Sequence, residues 1–430
     1  MIDRHLHAPK EATLRECLEL IRPGDHIVSA AGASEPATLL SHLPEVLPGL
    51  HDVTLMKGRD NDYDFLRDPK SKGHIEVVGH FYSADLREAH RLGFATYVPS
   101  NLHSFISERI AYAPNNVFVA QVTPLENGMF QAPYCMMFEQ EAFACAEKVI
   151  LEVNPRFRRV RGGLDIPLER VTAYFVSEKP IFIIPRGDPS PTDRRIARYV
   201  ADLIHDGDCI QLGVGNLPDM VGSYLREKND LGIHSEIFSS TMADLIEAGN
   251  ANGSRKNFNP GEHLATFCAG DQHLFDVVAY NPACRLVPCA YGNDPFVIGQ
   301  NDHMVSVNSA LEVDLTGQIC SETIGATQFS GTGGASDYAF GAMRSRGGRG
   351  IIAFASTAKG NRISKIKSVL TPGAAVSISR NLADTIITEY GVAELRGRSI
   401  RERAEALIAI AHPDFRSQLR KEARALGIIN

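Results

Sequence analysis

The stretch LIHDGDCIQLGVGNLPD (residues 203–219) sets the fold class, because it runs from a turn through a strand pattern into a glycine-rich turn that leads to a helical pattern. His205-Asp206-Gly207-Asp208 supplies turn formers, and Cys209-Ile210-Gln211-Leu212 is a short apolar strand pattern. Gly213-Val214-Gly215-Asn216 then forms a glycine-rich turn, and MVGSYLREK (220–228) carries a helical pattern. Strand, tight turn and helix in that order make the repeating unit of parallel α/β sheets. The same order occurs earlier in LIRPGDHIVSAAGASEP (20–36), where a turn leads through HIVSA into a small-residue loop.

Working outward, apolar β-branched runs alternate with helical patterns almost throughout. They include VFVAQV (117–122), KVILEV (148–153), PIFIIP (180–185), MVSVN (304–308), GIIAFAS (350–356) and ADTIITEY (383–390). In 194–204, Ile196, Tyr199, Val200, Leu203 and Ile204 share one helical face, with Asp193 placed as its N-cap. The expected architecture is α/β with mainly parallel sheets. GDPSPTD (187–193) is the best linker, with two prolines and a glycine between a strand pattern and a helix start. A second pair of similar segments, AEKVILEVNPRFRRVRG (146–162) and ADTIITEYGVAELRGRS (383–399), follows the first in order. Two ordered matches imply two similar open α/β domains, 1–187 and 188–430, with the active site expected in the cleft between them.

Bulk composition excludes several classes. Across 430 residues, 44% are hydrophobic and 22% charged, which is ordinary for a globular chain with a substantial core. A net charge of −7 gives no nucleic-acid surface or polybasic membrane patch. Eight scattered cysteines without a C-x-x-C pair are expected to be reduced core residues, not a disulfide framework or zinc site. The polar start MIDRHLHAPKEATLREC (1–17) is not a secretory signal, and no run reaches the roughly 18 apolar residues of a membrane span. A cytoplasmic protein is expected.

The familiar catalytic templates fail one by one. GVGN lacks the third glycine of a dinucleotide fingerprint, since Pro218 stands there. Such a turn is either a plain tight turn or an oxyanion site, because it exposes amides at a helix start. GTGGASDYAFGA (331–342) is the densest glycine cluster, but no Gly-Lys-Ser/Thr follows it as a P-loop requires. It is either a flexible surface loop or a place where backbone comes close to a ligand. GASEP (32–36) ends in Pro36 and so is not a hydrolase elbow; H-E-x-x-H is absent; His74 and His80 form no ligand pair, and HLH (5–7) is read as inert. GIHSEIFSSTMADLIEAG (232–249) places Glu236 near a strand end, before the capping residues Ser239-Ser240-Thr241 and a helical face ending at Gly249. On local grounds Glu236 is either a solvated glutamate or a nucleophile.

Taken together, GVGN, HSEIF, GNDPFVI (292–298), MVSVNSALEVDLTGQI (304–319), SGTGG (330–334) and ITEYGVAELRG (387–397) resemble one family. They are similar to the class I coenzyme A transferases of the acetyl-CoA hydrolase/transferase group, within it the 4-hydroxybutyrate and butyrate CoA-transferase branch. The resemblance implies two similar α/β domains, likewise with the active site between them. It implies Glu236 as nucleophile, with Val214, Gly215, Asn216, Gly331, Gly333 and Gly334 lining the acyl-oxyanion and CoA region. No bound cofactor or metal is expected, with coenzyme A thioester as substrate and a small carboxylic acid as partner. Homo-oligomerisation is also implied. A carboxylate nucleophile is ionised near neutral pH, so it needs no activating base. The alternatives are an acyl-CoA hydrolase using the same glutamate, and a non-catalytic CoA-binding protein. Three departures bear on the acyl group: Ser239-Ser240-Thr241 after the glutamate motif, Ala335 in the usual glutamine position, and Phe340 near the usual arginine position. Lys57 and Arg59 are candidate cations for a distal carboxylate such as that of itaconate or succinate.

Overall fold

The structure is a computed structural model that describes residues 10–58 and 61–430. The chain forms two compact units. One covers the chain up to Ile183 with Thr266–Cys268 and Val278–Ala290; the other covers Ile184–Ala265, Ala269–Val277 and Tyr291–Asn430.

In the first unit, eight described strands pair in parallel. Their order is Lys10–Glu11, Ala173–Val176, Lys148–Val153, Val117–Val122, His26–Ser29, Val53–Met56, Ile75–Gly79, Ala95–Tyr97. Val117–Val122 and all of Lys148–Val153 but its first residue are buried, which is why they read as near-continuous apolar runs. Burying one such Val, Ile or Leu side chain contributes about 1.5–3 kcal/mol, and Ile27, Leu55, Val77, Val117, Val119 and Ile150 share one cluster.

In the second unit the order is Gly232–Ile233, Cys209–Leu212, Met304–Asn308, Arg349–Ala353, Thr385–Thr388, Gly391–Glu394. All pairs are parallel except the last. Cys209–Leu212 is followed in sequence by a neighbour on one side and later by Met304–Asn308 on the other. That makes the carboxyl ends of these two strands a switch point, where α/β sheets open a crevice for ligands. The opening stretch therefore folds as its pattern implies, with helix Asn216–Leu225 directly after the glycine turn.

Some expectations need correction. PIFIIP (180–185) is not a strand, and Ile183 is exposed. Prolines at both its ends remove ladder donors. Its Ile184 amide instead donates to Gly270 O at 2.8 Å. The helix after the linker is Pro191–Asp202; Ser190 is its N-cap and Asp193 is the third residue, the two forming a reciprocal capping box. The first pair of similar segments form His26–Ser29 and Cys209–Leu212, each an interior strand of its sheet. The second pair, Lys148–Val153 and Thr385–Thr388, stand two and three strands away from them.

Candidate active site

Residues 232–249 fold into a short parallel strand, a brief extended segment and helix Ser240–Glu247. Glu236 lies three residues beyond Ile233, on the carboxyl side of the sheet. The chain is pinned on either side of it. Ser235 N donates to Leu264 O at 2.9 Å, Ser235 Oγ donates to Leu212 O at 3.4 Å, and Ile237 N donates to Ser235 Oγ at 3.3 Å. Fixing both neighbours fixes the direction in which the half-buried Glu236 leaves the backbone.

Two distant segments meet its carboxylate. Asn293 Nδ2 donates to Glu236 Oε2 at 3.1 Å, although 57 residues separate them. Gly334 packs so closely that an added Cβ would overlap both Glu236 Oε2 and Asn293 Nδ2. Gly334 is also the N-cap of helix Ala335–Arg344. The carboxylate therefore faces a helix amino terminus, where partial positive charge favours an anion by about 0.3–1 kcal/mol.

His234 ties these pieces together. It is fully buried, and its Nε2 lies 2.9 Å from Gly292 O, which can only accept, so Nε2 carries the proton. Its Nδ1 then accepts from Asn301 Nδ2 at 3.2 Å. Tyr338 Oη, from the helix after Gly334, donates to the same Gly292 carbonyl at 3.0 Å. Gly292 is thereby locked to both the His-Ser-Glu segment and the Gly334 helix, and the next residue is Asn293. The HSEIF, GNDPFVI and GTGG motifs thus converge on one carboxylate.

Burial pushes His234 down to about 3, with nearby Lys256 adding to the effect. The folded chain keeps this imidazole neutral while the unfolded chain protonates it below the ordinary value near 6.5. Stability is thus fully present above that value and is lost as pH falls toward 3. The expected slope from His234 alone is about 1.4 kcal/mol per pH unit in that window. Urea titrations from pH 7 to 4.5 should show stability falling, and His234→Gln should flatten the profile by about one proton's worth. An unchanged slope in the variant would contradict the assignment.

Of the other expected site residues, Gly331, Gly333 and Gly334 lie in one loop, with Gly333 at φ +54°. Val214 and Gly215 form the turn at the carboxyl end of Cys209–Leu212, with Gly215 at φ +113° and open space where a Cβ would be. Asn216 turns away toward the linker: Nδ2 donates to Asp188 O at 3.3 Å, and its amide fills the space a side chain at Gly187 would need.

The departures noted in the sequence have structural uses. Ser240 Oγ accepts from Asp271 N at 2.8 Å, and Thr241 packs where a side chain on Gly222 would stand. Both are buried. Phe340 lies edge-on to Phe296, with centroids 6.4 Å apart, and the Arg344 guanidinium covers Phe296 at 4.2 Å. Lys57 is fully buried, with Nζ 3.6 Å from Asp85 Oδ2 and donating to Asn61 O at 3.1 Å. Arg59 and the HLH segment lie outside the described residues. Among the described residues there is no cluster of His, Cys, Asp and Glu able to hold a metal, and no helix long and apolar enough to cross a membrane. The residue that sequence reasoning missed is Asn293. It lies inside the quoted GNDPFVI, but the triplet Gly-Asn-Asp reads equally well as a turn.

Comparison with known proteins gives the family. A family model described as acetyl-CoA hydrolase/transferase C-terminal domain matches residues 270–423. The chain is 38% identical over 415 residues to succinyl-CoA:cyclohexane-1-carboxylate CoA transferase of Geobacter metallireducens, covering 96% of this chain and 95% of that one. It is 35% identical over 428 residues to 4-hydroxybutyrate coenzyme A transferase of Clostridium kluyveri, covering 97% and 98%. The crystal structure of RipA from Yersinia pestis superposes with a TM-score of 0.93 at 32% identity, covering all of both chains. Matches of this extent span both units, and the chain belongs to the acetyl-CoA hydrolase/transferase family.

Proposed function

We propose that the chain is an acyl-CoA:carboxylate CoA-transferase in which Glu236 is the nucleophile. The observation that carries this reading is the convergence of the Asn293 amide and the Gly334 helix terminus on one oxygen of Glu236. We assign Oε2, where Asn293 donates, the role of oxyanion, and the other carboxylate oxygen the attack.

The steps follow from that division. A Glu236 oxygen adds to the acyl-CoA carbonyl carbon, and collapse of the tetrahedral adduct expels CoA thiolate and leaves a mixed anhydride. The thiolate then adds to the glutamyl carbonyl carbon, the donor acid leaves as its carboxylate, and a glutamyl-CoA thioester remains. The acceptor carboxylate adds to that thioester and displaces thiolate, which in turn attacks the new acyl carbon and frees Glu236. In both glutamyl-centred adducts the negative charge falls on the oxygen that Asn293 already faces. Asn293 and the helix terminus therefore serve the glutamyl side of the exchange, while the turn at Val214-Gly215 is the candidate for the acyl side. No proton transfer is needed, because every nucleophile and leaving group is an anion.

Support for the kind of acyl group comes from one candidate cation, Lys57, and from Phe340. Lys57 is engaged with Asp85, and Phe340 contributes to an aromatic cluster. Both favour an uncharged acyl group, as in the relative named for 4-hydroxybutyrate; the other relative is named both for cyclohexane-1-carboxylate and for succinyl-CoA, a dicarboxylate thioester.

The test is a panel of labelled acids (acetate, butyrate, 4-hydroxybutyrate, succinate, itaconate) against one short-chain acyl-CoA. Thiol release in water is measured in parallel. Ping-pong kinetics with a monocarboxylate preference are expected; thiol release outrunning transfer would make the protein a hydrolase. Asn293→Ala is expected to lower kcat on the order of 10²–10³-fold with little change in KM, the usual loss for one oxyanion donor. A matching rise in KM with unchanged kcat would assign Asn293 to ground-state binding instead.

A further inference from the structure

Of the four residues in Gly331-Thr332-Gly333-Gly334, three have no side chain. The loop nevertheless has to deliver Gly334 to within contact of the Glu236 carboxylate. The one side chain inside it is that of Thr332, whose hydroxyl donates to Glu322 Oε1 at 2.8 Å.

Glu322 is well placed to serve as the anchor. It precedes a tight hairpin, Thr323–Ile324 against Thr327–Gln328, which throws the chain back past its own start. At the return, the amides of Phe329 and Ser330 both donate to the Glu322 carbonyl, at 2.8 and 3.0 Å. Its carboxylate is buried, and the same Oε1 that takes Thr332 also accepts from Ser377 Oγ at 2.8 Å. Ser377 Oγ in turn accepts from Ser321 N at 3.0 Å, so the anchor is itself braced. Hydroxyls bound to a carboxylate make charge-assisted hydrogen bonds, stronger than neutral ones. Glu322 therefore holds the loop twice, by its main chain at the entry and by its side chain at Thr332. Beyond Thr332 only Gly333, at φ +54°, remains before the helix start.

We infer that Glu322 is a positioning residue for CoA transfer, acting through Thr332 to hold Gly334 and the helix amino terminus against Glu236. This rests on Glu236 being the nucleophile. A loop without the clamp would let the helix start drift. The glutamyl adducts would then lose a donor that operates only when charge builds on Oε2. Substrate binding would be little affected, because neither Glu322 nor Thr332 is asked to touch substrate.

The experiment compares Glu322→Leu, Glu322→Gln and Thr332→Val with wild type and Glu236→Ala, in steady-state transfer and in mass detection of the glutamyl-CoA adduct. Displacement of a reacting group by about an ångström costs on the order of a hundredfold, so Glu322→Leu should lower kcat by about that factor with KM within about twofold. Glu322→Gln keeps an oxygen acceptor for both hydroxyls and should recover most of the rate. Thr332→Val, which leaves the braced anchor untouched, should show a kcat loss of the same kind and slower adduct formation. If Glu322→Leu fails to fold, Thr332→Val decides: a wild-type kcat there overturns the inference. Equal loss in Glu322→Gln and Glu322→Leu overturns it too, because acceptor capacity would not be what matters. An active Glu236→Ala would instead remove the nucleophile assignment, whereas an inactive Glu236→Ala beside a fully active Thr332→Val would remove only the positioning role.

Discussion

Glu236→Ala is expected to lose CoA transfer by on the order of 10⁴-fold or more, because the covalent route disappears with the nucleophile. Folding should survive. The segment is held by the backbone and hydroxyl of Ser235 and by Ile237 N, none of which depends on the carboxylate. The cost in the alanine variant is an Asn293 amide left without its acceptor, about 1–3 kcal/mol for a buried polar group. Glu236→Gln avoids even that, since a rotated carboxamide can present its oxygen to Asn293 while being a poor nucleophile. Wild type mixed with acyl-CoA and no acceptor should gain the mass of CoA less water on the peptide containing residue 236. Borohydride should then reduce that thioester, and both variants should remain unmodified. Transfer above about one per cent of wild type in a correctly folded Glu236→Gln preparation would refute the mechanism.

Much of this was legible in the sequence for a physical reason. Strand, glycine turn and helix are local signals, so CIQL, GVGN and the helix after it appear where periodicity puts them. Six ordered motifs were enough to suggest the family. What stayed hidden depended on partners far along the chain. Asn293 looks like a turn residue until His234 and Tyr338 are seen holding Gly292 in place. Ser240-Thr241 looked like a substrate-facing departure, but one hydroxyl takes a backbone amide and the other side chain fills the space beside Gly222. Lys57 looked available because a sequence shows a charge and not the Asp85 that sits beside it. PIFIIP misled for a different reason: its composition is that of a strand, while its flanking prolines forbid the ladder.

Gly334→Ala is the most selective steric probe of the site. Gly334 has φ −85°, which alanine adopts without strain, so the substitution carries no backbone penalty of the kind expected at Gly333 or Gly215. Its whole effect comes from the methyl group, which would overlap Glu236 Oε2 and Asn293 Nδ2 and stand 3.2 Å from Glu236 Cδ. Either the carboxylate swings toward solvent or the helix start retreats, and both separate Oε2 from its donors. A kcat loss on the order of 10²–10³-fold is expected, comparable to deleting an oxyanion donor. Retention of more than a fifth of wild-type kcat would mean that the close approach is incidental. Stability adds an independent check. Glu236→Ala and Gly334→Ala should each lower the melting temperature. In the double variant only the Asn293 overlap remains, so its melting temperature should fall by less than the sum of the two single losses. Residues in contact couple in this way, whereas two independent lesions would simply add. A double variant whose loss equals that sum would place the clash elsewhere.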